Sequence, residues 1–61
     1  MTLKELSERY PKETKFRVFM GSTYFASYNQ YEVSTYPVAN EKVIDYTESK
    51  KNVVFVTLAL N

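Results

Sequence analysis

The first ten residues carry apolar side chains at helical spacing, namely Leu3, Leu6 and Tyr10. Side chains three to four positions apart lie on one face of an α-helix. Thr2 and Glu5 have the spacing of a capping box, in which each side chain accepts a hydrogen bond from the other residue's backbone N–H. Pro11 disfavours the helical conformation of the residue before it. The pattern predicts a helix over residues 2–10, which is too short to be stable without a sheet to pack on.

From residue 15 onward the pattern changes to an alternation of period two, which is typical of strands with one buried face. Residues 15–20 and 23–29 show this alternation on either side of Gly21 and Ser22. Gly21 is the only glycine of the chain. A glycine at the first central position suits a type II′ turn, so the two segments are predicted to form a tight hairpin.

Three more segments are predicted to be extended, and they cover residues 31–36, 42–47 and 53–60. Segment 31–36 is either a third strand or a continuation of the second strand through a bulge, and Pro37 stops its pairing. Residues 38–41 are predicted to form a loop or a single helical turn. The polar residues 48–52 are predicted to connect the last two strands as a hairpin loop.

The last segment is the strongest predicted strand because it is apolar on both faces. One face carries Val54, Val56, Leu58 and Leu60, and the other carries Val53, Phe55 and Ala59. Strands of this kind lie in the centre of a sheet or in an oligomer interface. We expect a central strand, and self-association through Val53 and Phe55, which would give a homodimer, is the alternative.

Together these elements predict a single α+β domain over residues 1–61. The short N-terminal helix is expected to pack on a small, mostly antiparallel sheet of four or five strands. A domain of this size buries only about 60% of the surface that its unfolded chain exposes. Its stability therefore depends on a dense core of aliphatic and aromatic side chains or on a partner chain.

The residue types present exclude most catalytic chemistry. The chain has neither cysteine nor histidine, which removes disulfides, thiolate zinc sites and the commonest general base. Its one aspartate, Asp45, follows Ile44 in a predicted strand and is expected to be solvated. One glycine cannot form a phosphate-binding loop, and the seven acidic residues lack the spacing of a calcium loop. We therefore expect no enzymatic activity, no metal and no cofactor.

Charge and hydropathy narrow the possible partners and the location. Eight basic and seven acidic residues give a net charge of +1, which provides neither a basic footprint for duplex DNA nor the acidic face of a DNA mimic. The N-terminus is charged where a signal peptide is apolar. The longest apolar run has about eight residues, whereas a membrane-spanning helix needs about twenty. We expect a soluble, cytoplasmic protein that binds no membrane.

A concentration of tyrosine is the unusual feature of the composition. Four of the six tyrosines fall within thirteen residues, at Tyr24, Tyr28, Tyr31 and Tyr36. They either supply core volume with their hydroxyls at the rim, or form a protein-binding surface, or stack unpaired bases. There is no Lys or Arg between Arg17 and Lys42, which makes nucleic acid the least favoured partner. These four tyrosines are the predicted protein-binding residues.

Four short stretches carry a resemblance to a known group of proteins: Leu3–Pro11 (LKELSERYP), Arg17–Phe19 (RVF), Tyr36–Val38 (YPV) and Val43–Tyr46 (VIDY). With them the chain resembles short open reading frames of phages and prophages of Gram-positive bacteria, in which a helix ending in Tyr-Pro precedes a small sheet. The resemblance implies a protein of the host-cell cytoplasm that binds a host or phage protein and blocks or redirects it. Inhibitors of bacterial defence systems are among such proteins. No site residues are carried over with it.

The sequence thus leads to three hypotheses. The first is a non-enzymatic protein-interaction module, in the role of a phage-encoded modulator or inhibitor of a host protein. The second is a single-stranded nucleic-acid binder that uses aromatic strand residues. The third is a structural component that associates with itself through the last strand.

Overall fold

The computed structural model describes residues 1–49 and 51–59, and its elements confirm the predicted small α+β fold. They are, in chain order, α1 (Leu3–Ser7), β1 (Lys15–Met20), β2 (Thr23–Asn29), α2 (Gln30–Thr35), a 3-10 helix (Pro37–Asn40), β3 (Val43–Glu48) and β4 (Val53–Leu58). The strands form one sheet with the spatial order β2-β1-β4-β3. Predicted strand boundaries agree with the observed ones within about two residues, the usual disagreement at element ends, except in segment 31–36.

The sheet consists of two antiparallel hairpins joined by a parallel central pair. The β1/β2 and β3/β4 ladders are antiparallel, and Val18 of β1 lies opposite Val56 of β4 in the parallel ladder between them. The sheet is therefore mixed, and the predicted antiparallel pairing holds for two of its three ladders. The central position predicted for the last strand is confirmed over residues 53–58, whereas Leu60 lies outside the described residues.

Two residues with positive φ shape the two hairpins. Gly21 has a φ of 62°, as the first central position of the predicted type II′ turn requires. Asn52 has a φ of 63° and precedes β4, where its carbonyl accepts a hydrogen bond of 2.7 Å from the Lys15 N–H. Asparagine tolerates this left-handed conformation better than other non-glycine residues.

The prediction of a strand over residues 31–36 is wrong, because this segment is helix α2. The Asn29 Oδ1 accepts a hydrogen bond of 2.8 Å from the Glu32 N–H, and the Glu32 Oε1 accepts one of 2.9 Å from the Asn29 N–H. This reciprocal capping box starts a helix. Its stabilisation outweighs the preference of the aromatic and β-branched residues at 31–36 for strands. The sheet has four strands over the described residues for this reason.

Helix α1 is shorter than the predicted helix over residues 2–10, since residues 8–10 form a turn. The predicted capping box is present: the Glu5 Oε1 accepts a 2.8 Å bond from the Thr2 N–H, and this bond lowers the pKa of the Glu5 carboxyl. The N-terminal residues also pair with the start of β3, where the Val43 N–H donates to the Met1 carbonyl at 2.8 Å. Among the described residues, no helix has both the length and the apolar character that crossing a membrane requires.

The hydrophobic core lies on one face of the sheet, beneath α1, α2 and the 3-10 helix. It consists of Phe16, Val18, Val54, Val56 and Leu58 from the sheet and Leu3, Leu6, Val33 and Val38 from the helical segments. Both central strands contribute alternate residues to this core. The other residues of the same strands point to the opposite face, which none of the described helical segments covers.

Candidate functional site

The four predicted binding tyrosines do not form one surface. Tyr24 lies on β2 and is 50% exposed, on the face opposite the core. Tyr28 packs against the core from the other face of the same strand. Tyr31 projects from α2 and is 74% exposed, and Tyr36 follows that helix. The structure brings only Tyr28 and Tyr36 into ring contact, with their centroids 5.7 Å apart.

The uncovered side of the sheet is a second surface, which we call the open face. It is formed by Lys15, Arg17, Phe19, Tyr24, Val53, Phe55 and Thr57, together with the polar residues that lie beside them on the edge strands. Their assignment to one face follows from the alternation with the buried core residues of β1 and β4. On β2 the bulge at Phe25 places Tyr24 opposite Phe19, so that Tyr24 also reaches this face.

Three rings form a continuous row across the open face, which we call the aromatic row: Tyr24, Phe19 and Phe55. The Phe19 centroid lies 5.6 Å from that of Tyr24 and 6.2 Å from that of Phe55, and both contacts are edge-to-face. Such pairs contribute about 0.5–1.5 kcal/mol each beyond their buried area. A 2.7 Å hydrogen bond between the Tyr24 hydroxyl and Ser27 Oγ also fixes the first ring. The row is therefore held in place before any partner binds.

Two cations lie beside the aromatic row. Lys15 and Arg17 alternate with the buried Phe16 and Val18 along β1, and Arg17 is paired across the sheet with Phe55. The sequence stretch that holds the tyrosines has no Lys or Arg. The pairing of β1 with β2 nevertheless places Lys15 and Arg17 on the same face of the sheet as Tyr24. At the opposite edge Asp45 faces Thr57. The two cations of the open face thus lie on the central strand β1, and Asp45 lies on the edge strand β3.

The residues predicted for self-association lie on this same face. Val53 and Phe55 of β4 are partly exposed there, with Phe55 36% accessible. One predicted binding residue, Tyr24, and both predicted self-association residues therefore share one surface. Phe19 completes that surface and was not among the predicted site residues. Its signal in the sequence is the alternation in β1, because a core face of Phe16 and Val18 leaves Phe19 on the other side.

A groove separates the bulged part of β2 from the segment that follows α2. It has a volume of about 300 Å³ and is lined by Met20, Phe25, Tyr28, Tyr36, Pro37, Val38 and Glu41. The bulge that turns Tyr24 to the open face leaves Phe25 on the groove side. Burial raises the pKa of the Tyr28 phenol, and the neighbouring Tyr36 and Glu32 raise it further. The groove is thus aromatic, with negative charge nearby.

Tyr10 makes a side-chain hydrogen bond to the end of β3. Its hydroxyl donates a 2.9 Å hydrogen bond to the Glu48 Oε2. Burial and this bond raise the pKa of Tyr10 to about 12, so the phenol keeps its proton near neutral pH. No group of three acidic side chains in residues 1–49 and 51–59 is arranged to hold a metal ion.

No protein-family model matches the chain, and no curated protein or solved structure matches it either. What the chain does must therefore be inferred from the shape and chemistry of its own surfaces.

Proposed function

We propose that this chain is a non-enzymatic protein-interaction module that binds its partner through the open face. The observation that carries this proposal is the aromatic row on the uncovered side of the central strands. Parallel strands are normally buried on both faces. In the described part of the chain β1 and β4 are covered on one face only, although Phe19 and Phe55 make the other face apolar as well. A partner that covers the row would complete the burial of these strands.

The chemistry of the open face fits a protein partner. Interface centres are enriched in aromatic residues and in arginine, and charged residues lie mainly at the rim. Here Phe19, Phe55 and Arg17 lie on the two central strands, and Lys15 lies at the start of β1. We infer that the partner presents an apolar patch with carboxylates on the side that faces these two cations. Asp45 on the opposite side gives the contact a defined orientation.

A standard protein–protein interface buries about 800 Å² on each partner, which is about a fifth of the 4171 Å² that this chain exposes. An interface of that size can be centred on the open face. It would leave the helix-covered side free for other contacts.

The biological role that we propose is a modulator or inhibitor of a host protein, encoded by a phage or prophage and acting in the host cytoplasm. The resemblance to short phage and prophage reading frames supports this role. A small module without histidine or cysteine can block a partner by occupying its surface, and that mode of action needs no cofactor.

Truncation of a ring in the aromatic row should weaken partner binding. We expect Phe55→Ala and Tyr24→Ala each to weaken binding by about 2 kcal/mol, or about 30-fold, as is usual for central aromatic residues. The tagged chain is used to capture host proteins, each captured protein is purified, and its affinity for the wild type and the variants is measured by calorimetry. The thermal melting temperature of each variant serves to check that it is folded.

Tyr31→Ala is the matched control, because this residue is more exposed than Phe55 and lies on α2, off the open face. It should leave the affinity within about twofold of wild type, as surface substitutions outside an interface do. If Tyr31→Ala abolishes binding and Phe55→Ala does not, the open face is not the interface. If the chain sediments as a dimer that Phe55→Ala converts to a monomer, the partner on this face is a second copy.

Single-stranded nucleic acid is the second candidate, favoured by the position of Lys15 and Arg17 beside the aromatic row. Bases can stack on such rings while cations contact the phosphates. Two phosphate contacts predict that log K falls with log salt at a slope of about −1.4, and Arg17→Ala should reduce it by about 0.7. Anisotropy of a labelled oligonucleotide measures both slopes. If the oligonucleotide does not bind at low salt, the nucleic-acid candidate is excluded. The proposal of a protein partner on the same face does not depend on this result.

A further inference from the structure

We propose that the groove between β2 and the segment after α2 binds an arginine side chain of a partner protein. The groove contacts the core side of the sheet and not the open face, so this site is additional to the interface proposed above. Its walls are the rings of Phe25, Tyr28 and Tyr36, and Glu41 supplies a carboxylate.

The rings are arranged to receive a flat cation. Tyr28 and Tyr36 meet at 88° with their centroids 5.7 Å apart, so that they form two perpendicular walls of the groove. Phe25 is 54% exposed and Tyr36 is 45% exposed, which leaves ring surface free for contact. The β-bulge fixes Phe25, and Pro37 fixes the chain directly after Tyr36. A guanidinium group stacks on aromatic faces and is attracted by their quadrupoles.

Two carboxylates favour a cation as the ligand of this mainly aromatic and aliphatic groove. Glu41 is the one charged residue among the described residues that line it, and the Glu32 Oε2 lies 3.5 Å from the Tyr36 hydroxyl. None of the described residues that line the groove is basic. The raised pKa of Tyr28, caused first by burial and then by the neighbouring Tyr36 and Glu32, agrees with a partly desolvated site close to the Glu32 carboxylate.

Arginine fits these features better than lysine. A guanidinium group is weakly hydrated and can stack on a ring while it donates two hydrogen bonds to one carboxylate, whereas an ammonium group is a strongly hydrated point charge. The groove volume of about 300 Å³ is at the lower limit of sites that hold small ligands. This volume has room for one side chain, and the ligand that we propose is a single arginine of the partner.

Titration with N-acetyl-arginine amide, followed by NMR of the aromatic side chains, tests the proposal directly. Addition of the arginine compound should shift the ring signals of Phe25, Tyr28 and Tyr36. N-acetyl-citrulline amide is the matched control, since it has nearly the same shape but no charge. We expect at least about tenfold weaker binding of the citrulline compound, from the loss of the cation–π contact and the charge-assisted hydrogen bonds.

Two variants distinguish binding in the groove from binding at the open face. Glu41→Gln should reduce arginine binding toward the citrulline level, while Phe55→Ala, on the opposite side of the sheet, should bind arginine as the wild type does. This result is independent of whether the open face binds a protein. Equal binding of arginine and citrulline would overturn the proposal, and so would an absence of shifts in the groove rings or equal shifts at Tyr31.

Discussion

Phe16→Ala should unfold much of the protein at 25 °C. Phe16 is the second residue of β1 and is fully buried, and its ring meets that of Tyr10 edge-to-face at 6.0 Å. Truncation of a buried phenylalanine costs about 3–5 kcal/mol, because apolar contacts are lost and a cavity remains. At about 0.05–0.15 kcal/mol per residue, a chain of 61 residues has a total stability of about 3–9 kcal/mol. The substitution removes a large part or all of it.

Urea unfolding, followed by far-UV circular dichroism, measures this loss. Phe25→Ala is the matched control, because the same atoms are removed from a side chain that is 54% exposed. It should cost less than about 1 kcal/mol, since solvated side chains contribute little burial. Two variants with the same unfolding midpoint would contradict the position of Phe16 in the core.

Gln30→Ala should have the second largest effect, a loss of about 2 kcal/mol. Gln30 is the first residue of α2, and its Nε2 donates hydrogen bonds of 2.8 Å to the carbonyl oxygens of Ser7 and Tyr10. Carbonyl groups at the end of a helix have no partner within that helix. Each hydrogen bond contributes about 0.5–1.5 kcal/mol. In the variant the Tyr10 carbonyl would lose its bond from Gln30, and the Ser7 carbonyl would keep only the 3.2 Å bond from the Tyr10 N–H. The side chain thus ties the end of α1 to the start of α2.

A Gln30→Glu variant tests whether hydrogen-bond donation by the Gln30 side chain is the source of this stability. Near pH 7 its carboxylate can only accept hydrogen bonds and would face two carbonyl oxygens, so the loss should be at least as large as in Gln30→Ala. Below about pH 4 the carboxyl is protonated and can donate one bond, so part of the stability relative to wild type should return. Ser34→Ala, which removes only a local bond to the Tyr31 carbonyl, is the control. Unfolding curves of Gln30→Ala and wild type that coincide would refute the role of Gln30.

The elements set by local chemistry were predictable from the sequence. The capping box at Thr2, the turn at Gly21 and the two apolar faces of β4 involve residues close together in the chain, and all three are observed. Helix α2 was missed because its residues favour strands. Asn29 and Glu32 indicated a helix, since they have the same capping-box spacing as Thr2 and Glu5.

The candidate binding surfaces were predicted only in part, because they depend on pairing between distant segments. Tyrosines that are neighbours in the sequence were expected to lie together, but the boundary between β2 and α2 separates Tyr24 from Tyr31. The open face combines residues of β1, β2 and β4, and the parallel pairing of β1 with β4 has no local signal in the sequence. For this reason neither Phe19 nor the two cations of β1 could be placed beside Tyr24 and Phe55.

The parallel central pair also has a consequence for how the chain folds during synthesis. The β1/β2 hairpin is synthesised first, but the inner edge of β1 pairs with a strand that lies more than thirty residues further along the chain. Until then the nascent hairpin exposes an unpaired edge and half of an apolar core, both of which can pair with other chains. Closure over such a sequence distance also slows folding compared with a fold built from local contacts. The sheet can therefore close only once β4 is available to pair with β1.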